Sequence, residues 1–237
     1  MCAKAVALAA RPEGMPKTSD FQIVDIESND PADGEIQVKN ICMSVDPYMR
    51  GRMVDRKSYV PPFQIGEPLT GGAIGKVTKS AHPDFKEGDF VSSHWGWRDG
   101  FPARAEGIER LGEIVAPASE YLGAIGMPGM TAYAGLLEVG ALKDGETVFV
   151  SGAAGAVGSI VGQIAKLKNC HVIGSAGNDE KVELLTKELG FDGAFNYNDG
   201  NLLGHLRELA PEGIDVYFDN VGAEHLEAAL MCIRPYG

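Results

Sequence analysis

The stretch Val148–Lys166, VFVSGAAGAVGSIVGQIAK, constrains the fold more than any other part of the chain. A short apolar run ends in a glycine turn, and the turn opens a segment with Val157, Ile160, Val161, Ile164 and Leu167 at helical spacing. The turn reads Ala153-x-Gly155-x-x-Gly158, one residue away from the dinucleotide fingerprint G-x-G-x-x-G. Gly155 would let a pyrophosphate approach the backbone, and Gly158 would let the helix lie close on its strand. A helix beginning near Ala156 aims its free N–H groups, those of Ala156, Val157 and Gly158 among them, at the same spot, which favours an anion. Alanine is tolerable at the first position if that residue needs no positive φ, and Gly152 lies just before it. The alternative is a tight strand-to-helix turn without a ligand.

The same grammar repeats to the end of the chain. Val172–Gly174 reads as a strand, followed by a helix opening near Asn178–Asp179 with Val182, Leu185 and Leu189 on one face and Gly190 as a stop. Ala194–Tyr197 and Ile214–Phe218 read as two further strands, each followed by a helix. Short apolar strands alternating with helices predict a parallel sheet covered on both faces, doubly wound through right-handed crossovers. In the order 3-2-1-4-5-6 expected of such a sheet, strand Ile214–Phe218 needs a neighbour on each side, so its outer edge is expected to be bare.

Before about Leu122 the text differs. Glu35–Val45 alternates, GGAIGKVTKS and GDFVSSHWGW are short strands between glycines, and most of the thirteen prolines fall here. A compact antiparallel barrel or sandwich follows. The boundary lies near Gly123–Gly126, which gives a barrel-like domain over 1–123 and a Rossmann domain over 124–237.

Which nucleotide the turn would hold is decided at the end of the second strand. An NAD site carries Asp or Glu there for the ribose 2′-hydroxyl. This chain has VIGSAGNDEK, with Ser175 and Gly177 in that place and Lys181 in the first turn of the next helix. A 2′-phosphate would meet both the lysine charge and the helix N-terminus, so NADP is preferred. Asp179 and Glu180 work against this, and an ordinary exposed lysine is the competing reading.

Charge and cysteines narrow the class. The formal charge of −12, spread without long acidic runs, argues against a nucleic-acid or anionic-membrane partner. Cys2, Cys42, Cys170 and Cys232 are far apart, without a C-x-x-C pair, which suits a reducing compartment. The N-terminal AVALAA falls far short of the roughly 20 apolar residues of a membrane helix. A cytoplasmic enzyme is expected.

The blocks DPYMR (Asp46–Arg50), MPGMTAY, GAVG and FDNVG, in that order, resemble the zinc-free medium-chain dehydrogenase/reductases of the leukotriene B4 12-hydroxydehydrogenase, prostaglandin reductase and curcumin reductase group. The resemblance covers essentially the whole chain. It implies a GroES-like β-barrel followed by a Rossmann domain, NADP(H) as cofactor, and reduction of the double bond of an enal or enone. It also implies a homodimer, and further residues beyond Gly237 to complete the Rossmann domain. Cofactor contacts transfer to Gly155–Gly158, Lys181, Tyr197, Asn220 and Thr131. The zinc-dependent relatives carry G-H-E where this chain has LTGGAIGK. The counterparts of that His and Glu are Ala73 and Ile74, which cannot hold a metal, and none is expected.

Without a Lewis acid, the reaction that remains is hydride delivery to the β-carbon of a conjugated alkene. The developing enolate then needs a hydrogen-bond donor, and tyrosine, neutral at pH 7, suits that role. Tyr48 and Tyr59 are the candidates, with Tyr59 favoured as the one in a proline-rich loop. Arg50 and Trp97 are expected to be structural walls. Quinone reduction, or nucleotide binding without turnover, are the competing functions.

Overall fold

The computed structural model describes residues 2–237, which fall into two units that meet in sequence at Leu122 and Gly123. In the first unit β1 (Cys2–Leu8) and β2 (Phe21–Glu27) form an antiparallel hairpin. The remaining strands are β3 (Glu35–Met43), β4 (Ala73–Ser80), β5 (Phe90–Ser93), β6 (Gly100–Arg104) and β7 (Glu109–Arg110). They make one antiparallel sheet in the order β6-β3-β4-β5-β7. Register shifts at Gln37/Val38 and Asn40/Cys42 interrupt the β3–β4 ladder, as bulges do where a sheet coils toward a barrel. Isolated bridges from Ala5 to Arg98 and from Ala7 to Pro68 tie the hairpin to segments flanking that sheet.

Alternation in these strands sends Ile36, Val38, Val77, Val91 and Phe101 into one core. Ala73 and Ile74 are wholly buried in β4. A second, smaller core of Leu8, Met49, Met53, Phe63 and Leu69 holds the short helix α1 (Tyr48–Arg52) by its Met49 side chain.

The second unit opens with α2 (Met127–Tyr133), with a proline in its first turn, and widens into π geometry over Ala134–Val139. Then β8 (Thr147–Val150), α3 (Gly158–Leu167), β9 (His171–Ala176) and α4 (Asp179–Glu183) alternate. They are followed by β10 (Gly193–Asn196), α5 (Leu202–Leu209), β11 (Val216–Phe218) and α6 (Glu224–Leu230). All strand pairs are parallel, in the order β10-β9-β8-β11, which is the expected 3-2-1-4.

Both faces of the sheet pack against helices, most completely at β8 and β9, while β11 is half-buried. Val148, Val150 and Val172 face α3 and the α4 segment, where Val161, Ala165 and Leu185 pack. Phe149, Ile173 and Phe195 face Leu206 of α5 and Ala228 and Ala229 of α6. This two-sided burial is the reason the strands read as unbroken apolar runs.

Some helix and strand bounds, one helix face and the sheet's outer edge differ from the expectation. The helix after the glycine turn starts at Gly158, with Val157 as its cap, not near Ala156. Its buried stripe is Gly158, Val161, Gly162 and Ala165, while Leu167 is 85% exposed. Six residues beyond Val161, Leu167 is turned about 120° away from that stripe. The third strand ends at Asn196, whose side chain accepts from the Asn198 N–H and turns Tyr197 into a 3₁₀ segment. Finally, β11 begins at Val216, and the outer edge is not wholly bare. Ile214 forms a parallel bridge to Ile233, with Ile214 N donating to Cys232 O and Arg234 N donating to Ile214 O, each at 2.9 Å.

Candidate active site

The end of β8 carries the glycine turn. Gly152 takes the positive φ of +58°, so Ala153 is spared it and can pack fully buried. The Ala153 N–H donates to Ser175 O at 2.8 Å, which pins the turn to the end of β9. Gly155 N donates to Gly152 O at 3.0 Å and closes the turn. A Cβ on Gly158 would stand 2.7 Å from Gly152 O and from Ala153 Cα. Glycine there is what lets α3 lie on the strand. Among the described residues no acceptor in the chain meets the N–H groups of Ala156, Val157 or Gly158. They stand at the N-terminus of a ten-residue helix, a donor set suited to a pyrophosphate.

Behind the turn lies a network that the linear motifs did not disclose. Ser151, fully buried, donates its hydroxyl to Asp219 Oδ1 at 3.1 Å. The same Asp219 oxygen accepts from Tyr217 Oη at 2.7 Å, Val221 N at 2.9 Å and Gly222 N at 2.7 Å. Asn220 donates its backbone N–H to Ser151 Oγ and its side-chain amide to Ser151 O, each at 2.9 Å. Burial pushes the Tyr217 phenol well above its ordinary pKa, and the neighbouring Asp219 charge pushes the same way. Burial acts to raise the Asp219 carboxyl too, but the Tyr217, Val221 and Gly222 donors outweigh it and hold it below the usual range. The motif FDNVG pointed to Asn220. The partner of Asp219, 68 residues away, could be found only once β11 lay beside β8.

The end of β9 forms the second part of the site. Ser175 is fully buried and its Oγ has no hydrogen-bond partner. A Cβ on Gly177 would lie 2.7 Å from Tyr197 Oη, so the phenol rests on a residue without a side chain. Asn178 caps α4, accepting from Lys181 N at 2.9 Å. Asp179 accepts from Asn196 Nδ2 at 2.9 Å, and Asn198 Nδ2 donates to Gly177 O at 2.7 Å. Lys181 is exposed, and no ion pair among the described residues engages its ammonium group. These contacts gather Gly177, Lys181 and Tyr197 at the carboxyl ends of β9 and β10, with no carboxylate in the place that binds a free ribose 2′-hydroxyl. Thr131 is exposed on α2, and its hydroxyl donates to Met127 O at 2.8 Å within its own helix. No hydrogen bond joins it to the turn.

In the first unit, Tyr48 and Tyr59 line one cleft of about 610 Å³ together with Arg50, Arg52 and Arg56. Tyr48 is half-buried at the start of α1, and burial, aided by the Asp46 charge, raises its pKa. Tyr59 is 87% exposed. Arg50 donates to Gly14 O at 2.7 Å, and Arg52 donates to Pro61 O and Thr70 Oγ1 while covering the Phe63 ring at 4.0 Å. Both arginines therefore act as walls that are themselves held. A donor to developing negative charge works best where water is excluded, and by that measure Tyr48 has the better setting.

The family models agree with this architecture. Residues 4–111 match the N-terminal domain of oxidoreductase, and residues 156–237 match the zinc-binding dehydrogenase model. A 2-alkenal reductase (NADP(+)-dependent) from Nicotiana tabacum is 46% identical over 99% of this chain and 70% of its own. The structure of CurA from Vibrio vulnificus in complex with NADPH superposes with a TM-score of 0.93 at 40% identity, over 99% of this chain and 69% of that one. The NADPH complex of Escherichia coli quinone oxidoreductase is more distant, with a TM-score of 0.75 at 26% identity over 98% and 70%.

This chain belongs to the zinc-free, NADP-dependent alkenal reductase group of the medium-chain dehydrogenase/reductases. It spans about two thirds of the length of its relatives. Among the described residues no three His, Cys, Asp or Glu side chains come together as a metal site would require. Among the described residues no helix is long and apolar enough to cross a membrane.

Proposed function

We propose that this chain reduces the carbon–carbon double bond of α,β-unsaturated aldehydes and ketones, with NADPH as the donor. The observation that carries the proposal is the glycine turn: Gly158 lets α3 lie close on the end of β8, and among the described residues the N–H groups from Ala156 to Gly158 meet no acceptor in the chain. Those groups hold the pyrophosphate, with Gly155 giving the backbone its close approach. Lys181, beside Gly177 and Tyr197, takes the 2′-phosphate. Asn220, fixed twice to Ser151, borders the same turn, and Thr131 contributes from α2. When bound, NADPH supplies the hydride that goes to the β-carbon.

The protein's part is then electrostatic. As the β-carbon gains the hydride, negative charge gathers on the carbonyl oxygen, and the Tyr48 hydroxyl donates to it, with Tyr59 at the exposed side of the cleft. A proton reaches the α-carbon from a side chain or water, which completes reduction of the alkene. The molecule acts as a cytoplasmic homodimer in this reading. The free thiols of Cys42, Cys170 and Cys232 suit a reducing compartment.

NADPH oxidation with a 2-alkenal, with an aryl enone and with a quinone at equal NADPH tests the assignment. Faster turnover of the alkenal or enone supports it. Reduction of the quinone alone assigns a quinone reductase, and NADPH binding with no acceptor reduced assigns a binding module.

A further inference from the structure

We infer that His225 is a positioning residue for the dinucleotide site and acts through Tyr197. The inference rests on the reading that NADPH binds at the carboxyl ends of β9 and β10.

His225 lies in the first turn of α6 and is only 5% exposed, yet its Nε2 has no hydrogen-bond partner. A buried imidazole nitrogen without a partner is unfavourable compared with an apolar side chain of similar size. Leucine or phenylalanine would fill this place on the buried side of α6, beside Ala228 and Ala229, without that cost. The contact His225 does make is with Tyr197. The two rings meet edge to face, 5.1 Å between centroids and 79° between planes. Burial holds the imidazole pKa below its ordinary value, against the opposing charges of Asp219 and Glu224.

Tyr197 is held from its other end as well. Its hydroxyl rests over Gly177, where a Cβ would come within 2.7 Å. The phenol thus bridges the end of β9 and α6, and follows directly on β10. Ser175, the other buried polar group of this unit without a partner, pairs in register with Phe195, two residues before Tyr197. A buried polar side chain without a partner calls for a reason other than packing. Rotation about Cβ–Cγ leaves the Tyr197 hydroxyl on its axis, so its position is set by the Cα–Cβ rotamer, and the His225 ring packed edge to face against the phenol opposes a swing to another rotamer. His225 therefore determines where the Tyr197 hydroxyl stands when the ribose-phosphate end of the cofactor arrives.

A double-mutant cycle on NADPH binding tests this, with the chain at full length, cofactor fluorescence as the readout and thermal unfolding recorded for each variant. His225→Ala is expected to raise the Kd for NADPH about fivefold or more. In a Tyr197→Ala background the same change is expected to alter Kd by less than about twofold, because the residue it acts through is gone. His225→Phe keeps a perpendicular ring and should restore most of the affinity, whereas His225→Leu fills the space without a ring, should lose it, and carries the cycle if the alanine variant unfolds. With an enone present, the loss should fall on the KM for NADPH and leave kcat near its original value. Equal losses in both backgrounds, or no loss in His225→Ala, would overturn the positioning role while leaving the NADPH site intact. Failure of the unsubstituted chain to bind NADPH would overturn both.

Discussion

Gly158 sits against Gly152 so closely that a Cβ on the first would lie 2.7 Å from the carbonyl oxygen of the second. Backbone surrounds the space, so no flexible side chain can move aside. Gly158→Ala is therefore expected to lift α3 off the end of β8 and lower stability by about 1–3 kcal/mol. Urea unfolding measures the loss, and NADPH titration of the folded fraction should show weakened binding. An unchanged urea midpoint would mean that the turn opens more easily than its packing implies.

Cofactor choice is expected to depend on Lys181, whose ammonium group has no ion-pair partner among the described residues and whose helix is capped by Asn178. A charge-assisted contact to a phosphate is worth about 1.5–3 kcal/mol, or roughly 10- to 150-fold in affinity. Lys181→Ala should weaken NADPH by that order and leave NADH almost untouched, since only NADPH carries the 2′-phosphate. Equal losses for both cofactors would remove Lys181 as the discriminator.

Tyr48 and Tyr59 share a cleft but differ in exposure. A hydroxyl that stabilises charge only as it develops should affect kcat more than substrate binding. Tyr48→Phe is expected to lower kcat for enone reduction about 10²-fold or more, with NADPH affinity unchanged. Tyr59→Phe is expected to have a smaller effect. Steady-state kinetics on both variants decide the matter, and a reversed ranking would return the donor role to Tyr59.

Asp192 joins three elements, accepting from Val172 N at 2.7 Å and from Lys166 Nζ at 2.8 Å just before β10. Burial acts to raise its pKa, but the Lys166 and Val172 hydrogen bonds outweigh that and hold it below the ordinary Asp value. A depressed folded-state pKa means stability that is fully present above the unfolded value of about 3.9 and is lost as pH falls through the lower folded value. Asp192→Asn should therefore be less stable at pH 7, by about 1–3 kcal/mol, and the gap should close progressively in acid. Urea unfolding of both proteins across that pH range checks the sign. A gap that persists at the acid end would assign the loss to packing instead of charge.

Local order was legible in the chain because it depends on neighbours in sequence. The alternation within Glu35–Val45, the bounds of Thr147–Val150 and the stop at Gly190 follow from hydrophobic period and from the punctuation of glycine and proline, while the 3-2-1-4 strand order came from the doubly wound fold class that the repeated strand–helix pattern implied. The turn at Gly152–Gly158 was legible for the same reason. A positive φ and two close approaches are needs that only glycine meets, and the glycines stand where those needs arise.

Contacts across the sheet were not legible. Ser151 meets Asp219, Tyr197 rests on Gly177 and His225 closes on Tyr197 because parallel strands of a given register bring their carboxyl ends together. Nothing in a window of neighbouring residues encodes that meeting. Leu167 has the right spacing for a buried face, yet it points to solvent because α3 packs through Gly158 and Gly162, and this close approach fixes the helix rotation. Tyr48 and Tyr59 could be named from the sequence as a pair. Their unequal exposure was set by the core that grips Met49 and leaves the loop of Tyr59 open, a difference that only three-dimensional packing creates.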